Sequence, residues 1–217
     1  MISRQISFQR RITIVLVIAN LCLLVIYVSA WTKPNPQNNK KTVIRPLTLA
    51  NEPLEITFEL NGRPVNATKA VRAEEGIHTE EFDGDSDWLR NLTLKVRNKS
   101  EKVITYIVLD LTFPQTATNE HPRVGLHQVF LGVDPDGKFP RPALRVAPNE
   151  SLEIPLATRF KDIKTLVEFS RSIENVTEME VRIHQVLFDN GTLFETGTYY
   201  RRNSDPNDPR KWIRIDN

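Results

Sequence analysis

The sequence predicts a mainly β protein: an antiparallel β-sandwich with one short helix, preceded by a single N-terminal transmembrane helix. The first observation is a series of short runs in which apolar and polar residues alternate, each closed by turn residues, as in half-buried strands. The second is that proline occurs 14 times and glycine 8 times, which suits many loops between short strands. The third is one apolar run near the N-terminus that has the length of a membrane span.

The N-terminal segment has the pattern of a signal-anchor. Residues 1–11 are polar, carry three arginines and are predicted to be a cytoplasmic N-terminus. The run from Ile12 to Ala30 is almost wholly apolar, and as a helix it would extend for about 30 Å, the thickness of a bilayer's hydrocarbon layer. Residues 12–31 are therefore predicted to be a transmembrane signal-anchor that contacts the lipid bilayer through Ile12 to Trp31.

The arginines before this run should remain in the cytoplasm. This orientation predicts a single-pass protein of the cytoplasmic (inner) membrane, with the N-terminus inside and the C-terminal domain outside. An alternative stays open, because Val28-Ser29-Ala30 fits the small-residue pattern of a cleavage site. Cleavage following Ala30 would give a secreted protein. The length of the run favours the anchor, since the apolar region of a cleavable signal is usually about 7–15 residues.

The tether and the first strands come next. Residues 32–50 are predicted to be an extended linker, because prolines and asparagines dominate its first half, and residues 51–217 the β-sandwich domain. Val43 to Leu49 is predicted as a first edge strand that Pro46 breaks. Leu54 to Leu60 alternates as a strand should, and Asn61-Gly62 after it predicts a hairpin turn. Residues 66–87 are predicted to be a loop.

The stretch from Leu92 to Phe113 predicts a central hairpin. In its first arm Leu92, Leu94 and Val96 alternate with polar residues. The second arm, from Val103, begins with β-branched residues and is apolar on both faces, as in a central strand. The polar residues between the arms suit a tight turn. A helix is the rival interpretation of the second arm, and its β-branched residues favour a strand.

The rest of the chain alternates between short strands and turns. Residues 115–128 are predicted to be a long loop, and the chain from Tyr199 onward a solvated terminus. One helix is predicted over Arg159 to Ser172, because its apolar residues fall on one face. The remaining predicted strands are Val129 to Val133, Leu144 to Val146, Ser151 to Leu156, Glu178 to Phe188 and Thr192 to Thr198.

This layout resembles the immunoglobulin-like extracytoplasmic domains of membrane-anchored bacterial envelope proteins. The residues that carry the resemblance are the turn Asn98-Lys99-Ser100, the strand opening Pro148-Asn149-Glu150-Ser151 and the late hairpin Phe188-Asp189-Asn190-Gly191-Thr192. It covers residues 54–200. The resemblance implies an immunoglobulin-like sandwich and a place in the cell envelope, and it carries no catalytic residue to this chain.

Charge and cysteine content exclude several classes of protein. The formal net charge is +2, from 29 basic and 27 acidic residues. Residues 1–30 hold three arginines and no acid, so the remainder has 26 basic and 27 acidic residues, a net of −1. A nearly neutral body argues against a nucleic-acid partner. The single cysteine, Cys22, lies in the apolar run, so the body has no disulfide and no cysteine-based site.

Asp83, Asp85 and Asp87 have the alternating acidic spacing of a calcium loop. The helix-loop-helix version of that loop needs glycine at its sixth position and glutamate at its twelfth. Trp88 and Leu94 occupy those positions here. The prediction is therefore a solvated acidic loop and no metal site, with an irregular calcium site at these three aspartates as the alternative.

No catalytic residue and no cofactor is predicted. The chain contains neither the Gly-x-Ser-x-Gly pattern of a serine hydrolase nor a glycine-rich phosphate loop. Its histidines lack the helical spacing of zinc peptidases and are predicted to be exposed loop residues: His78, His121, His127 and His184.

Six Asn-x-Ser/Thr sites occur, and each has two interpretations. They would be glycosylation sites in a eukaryotic secretory protein and ordinary turn residues in a bacterium. The sites are Asn66, Asn91, Asn98, Asn149, Asn175 and Asn190.

The predicted function is that of a membrane-anchored extracytoplasmic binding or assembly module. Such a module acts by surface contact on an envelope protein or glycan, without catalysis. The alternatives are an exported carbohydrate-active enzyme or carbohydrate-binding domain, which would use carboxylates on the loops, and a eukaryotic type II membrane glycoprotein.

Overall fold

The computed structural model describes residues 40–47, 49, 51–65, 80–117, 124–135, 137, 141–205 and 207–215. All of them belong to one compact unit, Asn38–Asn217. Within these ranges no helix has the length and apolar character that crossing a membrane requires. The predicted cytoplasmic segment 1–11 and the predicted span 12–31 lie outside the described residues.

The described residues are mainly β-structure, as predicted. A single helical turn lies at Trp88–Asn91, and the longer helix, Phe160–Glu168, lies inside the predicted helical range. The strands are β1 (Lys40–Leu47), β2 (Leu54–Leu60), β3 (Arg63–Pro64), β4 (Glu80–Gly84), β5 (Leu92–Asn98), β6 (Ile104–Phe113), β7 (Gly125–Gly132), β8 (Ser151–Pro155), β9 (Glu178–Phe188), β10 (Thr192–Glu195), β11 (Thr198–Arg202) and β12 (Trp212–Arg214).

The strands form two sheets. The smaller one has the order β3-β2-β5-β8 and is antiparallel throughout. The larger one is forked around β9. One side of β9 pairs with β6, which pairs in turn with β7. On its other side, the first half of β9 pairs in parallel with β1, and β1 pairs with β4. The second half of β9 pairs with β10, β10 pairs with β11, and β11 pairs with β12.

Strand periodicity explains how the two sheets share one core. In β5 Leu92, Leu94 and Val96 are buried, because successive side chains of a strand point to opposite faces. They join buried residues of β6 and β9 in a single apolar cluster. On the solvent face of the smaller sheet Lys95 Nζ lies 2.6 Å from Glu59 Oε1. A two-sheet arrangement around one core is a β-sandwich.

The predicted hairpin from Leu92 to Phe113 is wrong in its pairing, although both of its strands are present. β5 pairs with β2 and β8 in the smaller sheet, whereas β6 pairs with β7 and β9 in the larger one. The chain between them therefore crosses from one sheet to the other. The physical reason is that β6 is apolar on both faces, as an internal strand is. Its two edges are occupied by β7 and β9, so no edge is left for β5.

Four other boundaries differ from the sequence prediction. β1 begins at Lys40 in the predicted linker and is an internal strand, because β4 and β9 flank it. Pro46 does not end β1. The pairing with β4 already stops at Ile44, so no hydrogen bond to β4 requires an N–H group at position 46. β4 lies in the predicted loop 66–87, of which residues 66–79 are outside the described ranges. β7 starts inside the predicted loop 115–128, and the predicted terminus forms most of β11 and all of β12.

The helix lies beside strand β7. Its buried residues are Phe160, Ile163 and Val167, one apolar stripe at helical spacing. Arg90 covers the exposed side of Phe160, with its guanidinium carbon 4.6 Å from the ring centre. This packing fixes the opposite, polar face of the helix next to β7 and so creates the groove described below.

Candidate functional site

A groove runs between strand β7 and the helix Phe160–Glu168, and we call it the β7 groove. Its volume is about 600 Å³. Its β7 wall combines apolar and polar side chains from both faces of the strand, since successive side chains of a strand point to opposite faces. The lining residues are Leu126, His127, Gln128, Phe130, Asp162, Thr165 and Leu166.

Strand β7 leaves one of its two sides open. Among the described strands it pairs with β6 alone. Apolar side chains are exposed at its beginning: Leu126 is 47% exposed, and Val124, just before the strand, is 40% exposed. An edge strand with exposed apolar residues is a site at which another chain can pair, and proteins usually protect such edges.

The face of the larger sheet next to the groove carries a hydrogen-bonded polar network. Asp110, in the middle of β6, accepts a hydrogen bond from Gln128 Nε2 at 2.9 Å. Its other carboxylate oxygen lies 3.1 Å from His184 Nδ1. A carboxylate at this distance favours the tautomer that carries the proton on Nδ1. Gln128 therefore connects the groove wall to an oriented imidazole.

A β-bulge positions His184. Val108 lies opposite Gln185 and Leu109 opposite Ile183, so His184 is the extra residue of β9. Bulges often redirect a side chain near a functional site. Among the described residues no hydroxyl or thiol hydrogen-bonds to the His184 ring; its partner there is Asp110. The arrangement orients polar groups for contact.

His127 lines the groove, and two arginines adjoin its lining residues: Arg141 lies over Phe130, and the charge of Arg159 acts on His127. We call these three side chains, His127, Arg141 and Arg159, the basic cluster. Nε2 of His127 and Nε of Arg159 are shielded from water and have no hydrogen-bond partner among the described residues. The Arg141 guanidinium stacks on the Phe130 ring, 4.3 Å from its centre. The cluster thus places two guanidinium charges beside apolar side chains, and the Nε–H of Arg159 has no hydrogen-bond partner among the described residues.

Burial and nearby positive charge lower the pKa of two members of this cluster, Arg159 and His127. Burial lowers the pKa of Arg159, and the nearby Arg141 charge lowers it further. Burial also lowers the pKa of His127 below its ordinary 6.5, and the Arg159 charge adds to this effect. Asp162 acts in the opposite direction on both groups. His127 is consequently neutral at pH 7 in the folded protein.

We expect the stability of the protein to fall as the pH drops below 6.5, in part because of His127. Between 6.5 and the lowered pKa of the folded state, the unfolded chain takes up a proton that the folded chain does not, and this favours unfolding. The stability penalty is complete below the folded pKa. Urea unfolding of the wild-type protein and of His127→Gln between about pH 5 and pH 8 measures the effect. Parallel curves for the two proteins would contradict it.

The three aspartates that the sequence singled out do not converge. Asp83 lies in β4, where its carboxylate is 3.0 Å from Lys41 Nζ. Asp85 lies in the following turn and accepts a hydrogen bond from the Asp87 backbone N–H at 2.9 Å. Within the described part of the chain no three His, Cys, Asp or Glu residues form a group that could hold a metal ion.

The residues of the candidate site were not singled out by sequence reasoning. His127 lies on β7 and not in a loop, which corrects the loop predicted over residues 115–128. His184 lies within the strand that was predicted over Glu178 to Phe188, and its description as a loop histidine is wrong. His78 and His121 lie outside the described residues. The one local signal was Asp110, a carboxylate inside an otherwise buried strand. Such a residue needs polar partners, and these are what the structure supplies.

No protein-family model, no curated protein and no solved structure matches this chain.

Proposed function

We propose that the protein is a membrane-anchored extracytoplasmic binding module, which holds an envelope partner by surface contact at the β7 groove and performs no catalysis. The observation that carries this proposal is the open side of β7 next to a groove of about 600 Å³. That volume lies in the range of ligand-binding clefts, about 300–1,000 Å³. An open strand beside apolar pockets is the arrangement by which many domains bind an extended peptide.

The location is part of the same proposal. The apolar run from Ile12 to Ala30 and the arginines before it support a single-pass anchor in the inner membrane, with the sandwich outside. The immunoglobulin-like class is also proposed, on the basis of the two-sheet core and the connection that crosses between sheets after β5. If the anchor is retained, the protein stays in the membrane pellet after alkaline carbonate washing. Release, or a mature N-terminus at Trp31, would instead support secretion.

Site-specific photocrosslinking in native membranes tests the binding surface. A photoreactive amino acid is placed at Leu126, in the groove, or at Asn61, in the exposed turn of the smaller sheet. We expect a discrete adduct from position 126 and none from position 61. Equal labelling at both positions, or no adduct at either, would count against the proposal.

A matched pair of helix variants shows whether an adduct depends on the groove. Thr165 and Lys161 are both exposed on the helix, and only Thr165 lines the groove. Thr165→Trp should fill the groove and abolish the adduct at position 126. Lys161→Trp should leave it unchanged. An adduct that persists in Thr165→Trp would show that the partner binds elsewhere.

A further inference from the structure

Within the basic cluster, Arg159 is the residue whose environment calls for a negative charge. Arg159 is half-buried, its Nε has no hydrogen-bond partner among the described residues, and Arg141 repels it. The acidic residue that offsets this repulsion is Asp162, which is itself exposed in the groove wall. A guanidinium held in a partly desolvated place is costly unless an anion pairs with it.

The walls around the cluster show what kind of molecule would bring that anion. Leu126, Phe130 and Leu166 give the groove apolar surface, and the open side of β7 offers backbone groups. A free ion would use neither. An extended peptide would use both, and its side chain could reach Arg159. The guanidinium fork matches a carboxylate in a bidentate manner.

We propose that the β7 groove binds an extended peptide segment that carries an acidic residue, whose carboxylate pairs with Arg159 beside Arg141 and His127. The proposal rests on the proposed function and adds the chemistry of the ligand. Asp162 competes with the incoming carboxylate for the same positive charge. Arg159 therefore strengthens ligand binding, and Asp162 weakens it.

Titration calorimetry on the full-length purified protein tests this inference. The probes are the capped peptides Leu-Glu-Leu and Leu-Gln-Leu, which differ only in the carboxylate, together with acetate and inorganic phosphate. We expect the glutamate peptide to bind about tenfold more tightly than the glutamine peptide, as one charge-assisted hydrogen bond would give. Acetate and phosphate should bind more weakly than the glutamate peptide.

Variants assign the preference to the cluster. Arg159→Gln should abolish the preference for glutamate, and Arg171→Gln, which alters an exposed arginine after the helix, should leave it intact. Asp162→Asn should tighten binding of the glutamate peptide about threefold by removing the competing charge. Because Asp162 is exposed, this variant keeps the test decisive even if Arg159→Gln fails to fold.

Several results would overturn the inference. Equal binding of the two peptides would do so, as would a preference that survives Arg159→Gln. Acetate or phosphate binding as tightly as the glutamate peptide would reduce the cluster to a site for small anions. If the peptides bind equally while the adduct at Leu126 persists and depends on Thr165, the proposed function stands and the acidic ligand is wrong.

Discussion

Replacing Asn98 by alanine is expected to destabilise the protein by about 4 kcal/mol, because one fully buried side chain loses four hydrogen bonds together. Asn98 is 0% exposed at the end of β5. Its Nδ2 group donates to the Lys102 carbonyl at 2.8 Å and to the Val146 carbonyl at 3.0 Å. Its Oδ1 atom accepts hydrogen bonds from the backbone N–H and the hydroxyl of Ser100.

The position of these bonds explains the size of the expected effect. The segment after Asn98 carries the chain from the smaller sheet to the larger one, and the Asn98 side chain links that segment to Val146. The Val146 carbonyl keeps its bond from the Ile104 N–H and the Lys102 carbonyl its bond from the Ser100 hydroxyl, so the expected cost comes from losing four bonds of one fully buried side chain together.

Asn190→Ala is the matched control. Asn190 is exposed, and its Oδ1 atom accepts one hydrogen bond, from the Thr192 N–H at 3.1 Å. Its removal should cost about 1 kcal/mol or less. Urea unfolding of both variants measures the difference. If the two variants lose similar stability, the Asn98 side chain does not hold the connection between the sheets.

The same hydrogen bonds determine whether Asn98, one of the six Asn-x-Ser/Thr sites, can carry a glycan. A glycan is attached through the side-chain nitrogen of asparagine, and in Asn98 both hydrogens of that nitrogen are donated inside the fold. The folded domain therefore cannot carry a glycan at Asn98. Asn149, Asn175 and Asn190 are exposed, Asn91 is half-buried, and Asn66 lies outside the described residues.

Local pattern predicted the strands well and their partners badly. β9 was predicted with its observed bounds, because alternation over eleven residues leaves little choice of structure. The pairing of β5 with β6 was predicted from adjacency in the chain, and the two strands belong to different sheets. Periodicity shows which face of a strand is buried, and it contains no information about the neighbour that covers its edge.

The candidate site could not be predicted from local sequence pattern, for a related reason. His127, Arg141 and Arg159 come from three separate segments, and the fold alone brings them together. Each residue on its own looks like an ordinary polar surface residue. Asp110 was the exception, since a carboxylate within a buried strand signals that polar partners must be near.

Gly132→Ala is expected to destabilise the protein by about 4 kcal/mol, the second large effect. Gly132 ends β7 with a backbone φ of +85°, a conformation that side chains rarely adopt. An added Cβ would stand well inside van der Waals distance of the Thr105 carbonyl oxygen. Thr105 is the residue at which the register between β6 and β9 shifts, so its carbonyl cannot move without disturbing two pairings.

Gly137→Ala separates backbone strain from the steric clash. Gly137 has a φ of +67°, and a Cβ there would meet no atom of the described residues within 4 Å. It should cost about 1 kcal/mol, the strain of a left-handed residue alone. The difference between the two variants in urea unfolding therefore measures the close approach of β7 to Thr105. If Gly132→Ala lowers the free energy of unfolding no more than Gly137→Ala does, β6 and β7 can move apart at this point with little loss of stability. The wall of the β7 groove is then less rigid than its hydrogen bonding to β6 implies.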